Sequence, residues 1–299
     1  MSIKSVIKLM DVKTLIAGTV PVILGSIYSL YAFKKFNVLY FVLLIFAIIL
    51  IQSSTNMIND YFDFKRGADN GKNASEKVLI SGEMTSRQVL FIVAVYELIA
   101  LAIGIFIAVQ TSYYILLVAV VGGAISVLYA SGPLPISYTP MGEIVSGITM
   151  GIGITTTVIY IQSNVVTLNT VLVAVPTALF IGTILLSNNL SDLTEDEKVG
   201  RKTLPIIIGI ENAEKLWMIS VISLIILTYI LVIMHIYPLI VLIPVTLLFP
   251  YKSIYDFLSY SKNICTKNRT MGTIAKIGLK YHIAVSTGLA VAILNSFWS

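Results

Sequence analysis

The sequence predicts an all-α polytopic membrane protein, a single domain of about nine transmembrane helices. Its residues are 57% hydrophobic and only 12% charged, with a mean hydropathy of +0.92; a soluble domain carries roughly twice that charge. Apolar runs recur along the whole chain, and about twenty such residues suffice to cross the hydrocarbon of a bilayer. The charges are also unevenly placed. Of 20 Lys and Arg, only Lys34 and Lys35 fall in the short connections between runs.

The runs place helices at roughly 11–33, 38–60, 86–108, 112–130, 142–162, 166–188, 213–235, 237–257 and 276–297. The first is too long for a signal-peptide core and lacks a small-residue cleavage pattern, so it reads as a span. The second and sixth end in acidic segments. The third contains Glu97, which pairs internally or faces a cavity. Between the fourth and fifth, Gly132-Pro133 and Pro135 shape a tight loop. Short connections at 34–37, 109–112, 163–165 and around Tyr237-Pro238 share one side of the membrane. The longer ones at 61–85, 131–141, 189–212 and 258–275 share the other. The basic residues mark the long-loop side, with the N-terminus, as cytoplasmic. The net charge of +5 then reflects topology and contact with anionic membrane lipid, and no nucleic acid is expected. Cys265 is the only cysteine, which excludes a disulfide within the chain and a thiol metal cluster. His235 and His282 are far apart and give little support to a His-based metal site.

Carboxylates beside hydrocarbon are costly and mark functional sites. Two segments qualify: Asn59-Asp60-Tyr61-Phe62-Asp63, continuing to Asp69, and Asn188-Asn189-Leu190-Ser191-Asp192 with Asp196. In each, an Asn precedes an Asp by four residues, so both share a helix face. Asp60 points about 100° away from that face. Asn188 and Asp196 would lie about 12 Å apart on one straight helix; either two cations are held there, or the helix breaks and folds Asp196 back. The segments end spans four apart, which suggests pseudo-repeated four-helix halves, roughly 1–130 and 140–257, followed by a last helix at 276–297. Both reach one cavity at the membrane surface. Their hard oxygen donors suit Mg²⁺, which also binds substrate phosphate. Lys65, Arg66, Lys72 and Lys77 follow the first segment, and Lys198, Arg201 and Lys202 the second. Such cations either hold diphosphate oxygens or anchor the chain at the interface.

Asn59-Asp60-xx-Asp63 with Asp192-xxx-Asp196-xxx-Gly200 resembles the UbiA superfamily of intramembrane prenyltransferases. Three stretches are similar to one branch, the 1,4-dihydroxy-2-naphthoate prenyltransferases: Thr14 to Gly25, Tyr129 to Glu143, and Ser187 to Gly209. The resemblance covers nearly the whole chain. It implies metal ligands at Asn59, Asp63, Asp69, Asn188, Asp192 and Asp196, and diphosphate contacts at Lys77 and Lys202. Arg201 and Asp60 are further substrate-binding candidates. The broader superfamily often places its third acid at the position of Gly67; here Asp69 lies two further on. Lys77 stands where many members have Arg, keeping the charge and losing the bidentate fork.

The resemblance further implies a helical bundle around a central cavity, capped by the long loops. Polyprenyl diphosphate would ionise there with Mg²⁺, and 1,4-dihydroxy-2-naphthoate would attack the allylic cation, losing CO₂ to give demethylmenaquinone. Tyr129 and Tyr138 would offer ring faces to the cation or hydroxyls to the acceptor; interfacial anchoring is the alternative. Glu143 would orient the acceptor or accept a proton; otherwise it is a cap or an internal ion partner. Other readings of the chain are the same chemistry on 4-hydroxybenzoate or another acceptor, an ion-coupled secondary transporter, and a non-catalytic scaffold.

Overall fold

The computed structural model describes residues 2–67, 77–132, 134–260 and 267–298. Within them the regular elements are helices, with no strand. In hydrocarbon, every backbone polar group must be satisfied within the protein, and a helix does this locally.

Helix ends follow from identifiable side chains. α1 (Ile3–Met10) starts at Ser2, whose hydroxyl accepts from the Ser5 N–H, and stops at Asp11 in the left-handed region. α2 (Ile16–Phe33) follows after a short 3₁₀ turn. α3 (Val38–Arg66) is capped by Asn37 and stopped by Gly67 at φ 69°, a conformation that glycine adopts without steric cost. α4 (Ser86–Gln110) opens with a reciprocal Thr85–Gln88 capping box. α5 (Tyr114–Ala130) is shorter. The fifth crossing is composite: α6 (Gly142–Ser146), a π-helical stretch Gly147–Ile154, and α7 (Thr155–Ser163). α8 (Leu168–Ser191) begins with a Thr167–Thr170 capping box. α9 (Leu193–Lys198) and α10 (Leu204–Ile208) are short, and α11 (Ile210–Ile233) crosses back. A 3₁₀ turn leads into α12 (Leu242–Leu248), then come α13 (Tyr251–Tyr260) and α14 (Lys267–Trp298).

Seven helical stretches are long and apolar enough to cross a membrane, and two more, Tyr114–Ala130 and Leu239–Leu248, are apolar but shorter. These nine correspond in order to the nine expected runs, and the chain is a multi-pass membrane protein. Two boundaries differ instructively. The eighth run, expected to continue to 257, breaks at Phe249, which is extended at φ −62°, ψ 130°. Pro250 causes this: it lacks an N–H and its ring excludes the helical conformation from the residue before it. The second run continues past 60 to Arg66. Its 29 residues make about 43 Å of helix, more than the about 30 Å of hydrocarbon, so its acidic end reaches the interface.

α8 is the most enclosed span. A Cβ on Gly151 would stand 2.2 Å from the Ala178 Cα, and one on Gly147 2.7 Å from the Ala178 carbonyl oxygen. The π-helical stretch therefore lies backbone to backbone on α8, the close approach that small residues permit within membranes. On its other sides α8 meets α11 and α14, where Phe180, Trp217 and Tyr281 are fully buried. Buried polar groups there are paired, as burial demands. The Trp217 indole N–H donates to Ser187 Oγ at 2.8 Å. His282 Nδ1 donates to the Gly278 carbonyl at 2.8 Å, which leaves Nε2 to accept from the Thr177 hydroxyl at 3.2 Å. Both ring nitrogens are thus engaged in helix packing.

This contact sets a contrast. Gly151→Val is expected to destabilise the protein by about 1–3 kcal/mol through overpacking and to lower Tm in detergent. Gly104→Ala, where a Cβ meets nothing within 4 Å, is expected to leave Tm unchanged or raise it.

Candidate active site

The end of α3 divides its acids between two partners. Asn59 and Asp63 lie one turn apart on one face. Asp60, on another, accepts from Lys77 Nζ at 2.9 Å. Lys77 is positioned by its neighbours: Val78 and Leu79 are buried against Leu9, Met57, Met84 and Val89. The Asn56 amide ties the same helix to the start of the chain, donating to the Met10 carbonyl at 2.7 Å and to Thr14 Oγ1 at 2.8 Å. Asp69 and Lys72 lie outside the described residues.

The second segment does not continue as one straight helix. α8 ends at Ser191, and Asp192, at φ −101° and ψ 7°, is both its last cap and the first cap of α9. The helix breaks there, and Asp196 is buried against the bundle. Gly200, at φ 77°, then reverses the chain, and the Arg201 N–H donates to the Asp196 carbonyl at 3.0 Å.

Arg201 joins the two segments. Its Nη2 donates to Asp63 Oδ1 at 2.6 Å and its Nη1 to Asp196 Oδ1 at 3.1 Å. The guanidinium lies over the Tyr138 ring, 4.7 Å from its centre. Arg66 approaches the same ring at 5.1 Å and Phe62 at 5.3 Å, while donating to the Ala130 carbonyl at 3.1 Å. Lys202 takes no such place: its backbone N–H donates to the Tyr138 carbonyl at 2.9 Å and the residue is exposed.

Burial raises the Asp196 carboxyl to about 6; Arg201 opposes that rise, and the Asp192 and Asp63 carboxylates add to it. Burial disfavours the Arg201 charge too, but Asp63 and Asp196 outweigh it and hold the guanidinium above its ordinary value. The pairing is incomplete. Asp196 Oδ2, Arg201 Nε and Thr203 Oγ1 are all buried without a hydrogen-bond partner among the described residues. Among those residues no three His, Cys, Asp or Glu side chains gather closely enough to hold a metal. The donor set nonetheless fits Mg²⁺: all its atoms are hard oxygens, and Asp196 Oδ2 is an unused, buried carboxylate oxygen.

A second buried carboxyl stands nearby. Glu143, at the start of α6, accepts from Asn189 Nδ2 at 2.8 Å through Oε1, while its Oε2 is buried without a partner among the described residues. Tyr129 lies within electrostatic reach of Glu143, Asp196 and Arg201. No spacing in the sequence links Asn189 to Glu143, 46 residues away, and the Asn-xxx-Asp pattern falls on its neighbour Asn188. Glu97 pairs internally: the Ser54 hydroxyl of α3 donates to its Oε1.

Residues 19–276 match the UbiA prenyltransferase family. The chain belongs to that family. A Bacillus subtilis 1,4-dihydroxy-2-naphthoate octaprenyltransferase is 38% identical over 201 residues, 67% of this chain and 64% of that protein. A Xenopus tropicalis UbiA prenyltransferase domain-containing protein 1 is 29% identical over 196 residues, 64% of this chain and 56% of the relative. The matched stretches thus span less than two thirds of either relative. Two solved structures share the fold. A UbiA homolog from Aeropyrum pernix K1 superposes with a TM-score of 0.72 at 16% identity, covering 94% of this chain and 98% of that one. A UbiA homolog from Archaeoglobus fulgidus bound to GPP and Mg²⁺ gives 0.68 at 18% identity, covering 96% and 99%.

The Asp196 carboxyl has a consequence for metal-free protein. Its folded value of about 6 exceeds the ordinary 3.8, so the stability it contributes is complete below about pH 4 and is lost as pH rises through about 6. In EDTA, Asp196→Asn is expected to remove a decline of up to about 3 kcal/mol across that window, read as a flatter profile of Tm against pH.

Proposed function

We propose that this chain transfers a polyprenyl group from polyprenyl diphosphate to 1,4-dihydroxy-2-naphthoate, releasing diphosphate and CO₂ and forming demethylmenaquinol, the hydroquinone form of demethylmenaquinone. The observation that carries the reading is the meeting of both acidic segments at one point, with Asp63 and Asp196 on a single guanidinium. The similarity to the Bacillus subtilis octaprenyltransferase favours the naphthoate acceptor.

In this reading Asn59, Asp63, Asn188, Asp192 and Asp196 hold Mg²⁺, with Asp69 completing the first set. Bound there, Mg²⁺ neutralises charge growing on the departing diphosphate. Lys77, Arg201 and Lys202 take the diphosphate oxygens through charge-assisted hydrogen bonds, and Asp60 fixes Lys77. The allylic C–O bond breaks and its electrons leave with the diphosphate. The ring carbon bearing the carboxylate bonds to the allylic carbon, and the electron pair of the departing CO₂ group restores aromaticity, so the substitution needs no base at carbon. Tyr129 and Tyr138 shield the cation and offer it ring faces. Glu143, oriented by Asn189, takes a hydrogen bond from an acceptor hydroxyl through Oε2. The bundle sits in a bacterial plasma membrane with the acidic segments on the cytoplasmic side, and its two halves are pseudo-repeats that each end a span in one segment.

The test is an assay of purified protein with polyprenyl diphosphate and 1,4-dihydroxy-2-naphthoate. A decarboxylated product that disappears with EDTA is expected. Turnover of 4-hydroxybenzoate instead would overturn the acceptor. Asp63→Ala and Asp192→Ala are each expected to lower kcat/KM by on the order of 10²-fold or more in a protein that still folds, with a lower Tm for Asp63→Ala because it takes one partner from the Arg201 guanidinium. Glu143→Gln is expected to raise the KM of the aromatic acceptor about tenfold and leave that of the diphosphate unchanged; an equal rise in both would make Glu143 structural.

A further inference from the structure

Arg201 stands where the two acidic segments converge, and its contacts are those of a stand-in cation. Two carboxylates beside hydrocarbon repel each other and neither is stable unpaired. The fork answers this by giving one nitrogen to each, at 2.6 Å to Asp63 and 3.1 Å to Asp196. It does not grip either carboxylate through two nitrogens, the stronger arrangement. Nε of Arg201 and Oδ2 of Asp196 are left over, buried and without a partner among the described residues. The fork and the carboxylates therefore each retain capacity of the kind that a diphosphate and a divalent cation would use.

The backbone that carries the guanidinium is held at two points. The Arg201 N–H is held by the Asp196 carbonyl at 3.0 Å, and the Lys202 N–H by the Tyr138 carbonyl at 2.9 Å. The guanidinium lies 4.7 Å from the centre of the Tyr138 ring and is also hydrogen-bonded to that side chain, contacts that keep a cation beside the site.

We propose that Arg201 occupies the cation site until a diphosphate arrives, so that metal loading depends on substrate. Resting on the prenyltransferase reading, this gives Arg201 two partners in succession: the carboxylates of Asp63 and Asp196 when the site is empty, and the diphosphate oxygens when it is filled. The exchange keeps charge balanced, since the metal takes the carboxylates as the fork leaves them.

The consequence has opposite signs for the two ligands. Without the diphosphate, Arg201 competes with the metal; with it, Arg201 helps bind. The experiment is equilibrium binding of Mn²⁺, as a paramagnetic substitute for Mg²⁺, to the full chain in nanodiscs, with and without geranyl diphosphate. Arg201→Gln is expected to bind Mn²⁺ about tenfold more tightly than wild type without the diphosphate, and to bind geranyl diphosphate about tenfold more weakly. Arg201→Lys, which keeps the charge and loses the fork, is expected to fall between, and it serves should the Gln variant not fold. Arg66→Gln removes a charge near the same ring without touching either carboxylate, and is expected to change Mn²⁺ affinity less than about twofold. Mn²⁺ affinity that is not raised in either Arg201 variant, or is raised equally in Arg66→Gln, would overturn the role of Arg201 alone. Absence of Mn²⁺ binding in every protein, with and without diphosphate, would overturn the prenyltransferase reading with it.

Discussion

Two carboxylates from distant parts of the chain, Asp63 at the end of α3 and Asp196 just beyond α8, are held together by one cation between them. Desolvation makes each charge costly, and proximity makes two like charges costlier still. The Arg201 fork resolves this for Asp63 and Asp196, at the point where α3 outlasts the hydrocarbon and α8 breaks. Tyr138, the loop after α9 and the end of α3 all meet at that guanidinium.

Such a centre needs a rigid frame, and α8 is at the heart of it. Contact with the π-helical stretch brings backbones together at Gly147 and Gly151. Contact with α11 and α14 encloses large side chains and satisfies Ser187, Trp217, Thr177 and His282 internally. In lipid there is no hydrophobic drive between helices, so close packing and interhelical hydrogen bonds must supply the association. The end of α8 can therefore break sharply at Asp192 without disturbing the span below it. The first half of the chain is less enclosed, and there the buried cluster of Leu9, Met57, Val78, Leu79 and Met84 fixes Lys77 toward Asp60.

Much of this was legible in the residues. Hydropathy marks spans because a bilayer imposes one length and one polarity, and the nine runs reappear in order. The Asn-xxx-Asp spacing marks shared helix faces because helical geometry is local. Asp60 is turned about 100° from Asn59, and Asp60 and Asp63 have different partners, Lys77 and Arg201. The breaks were less legible. Pro250 was visible, but the apolar run around it concealed its effect, since hydropathy says nothing about backbone continuity.

The sequence by itself determined the membrane class, the order of the spans and the residues that carry charge to the interface, because each depends on composition or on contacts within a few turns. Only the tertiary structure decided that Arg201, and not its neighbour Lys202, meets both acidic segments, that Asp196 is buried against the bundle, and that Glu143 finds Asn189. Those pairings join residues 138 and 46 positions apart or hang on a backbone reversal at Gly200. They depend on how helices cross and where loops return, and the spacing of residues along one helix carries no record of that.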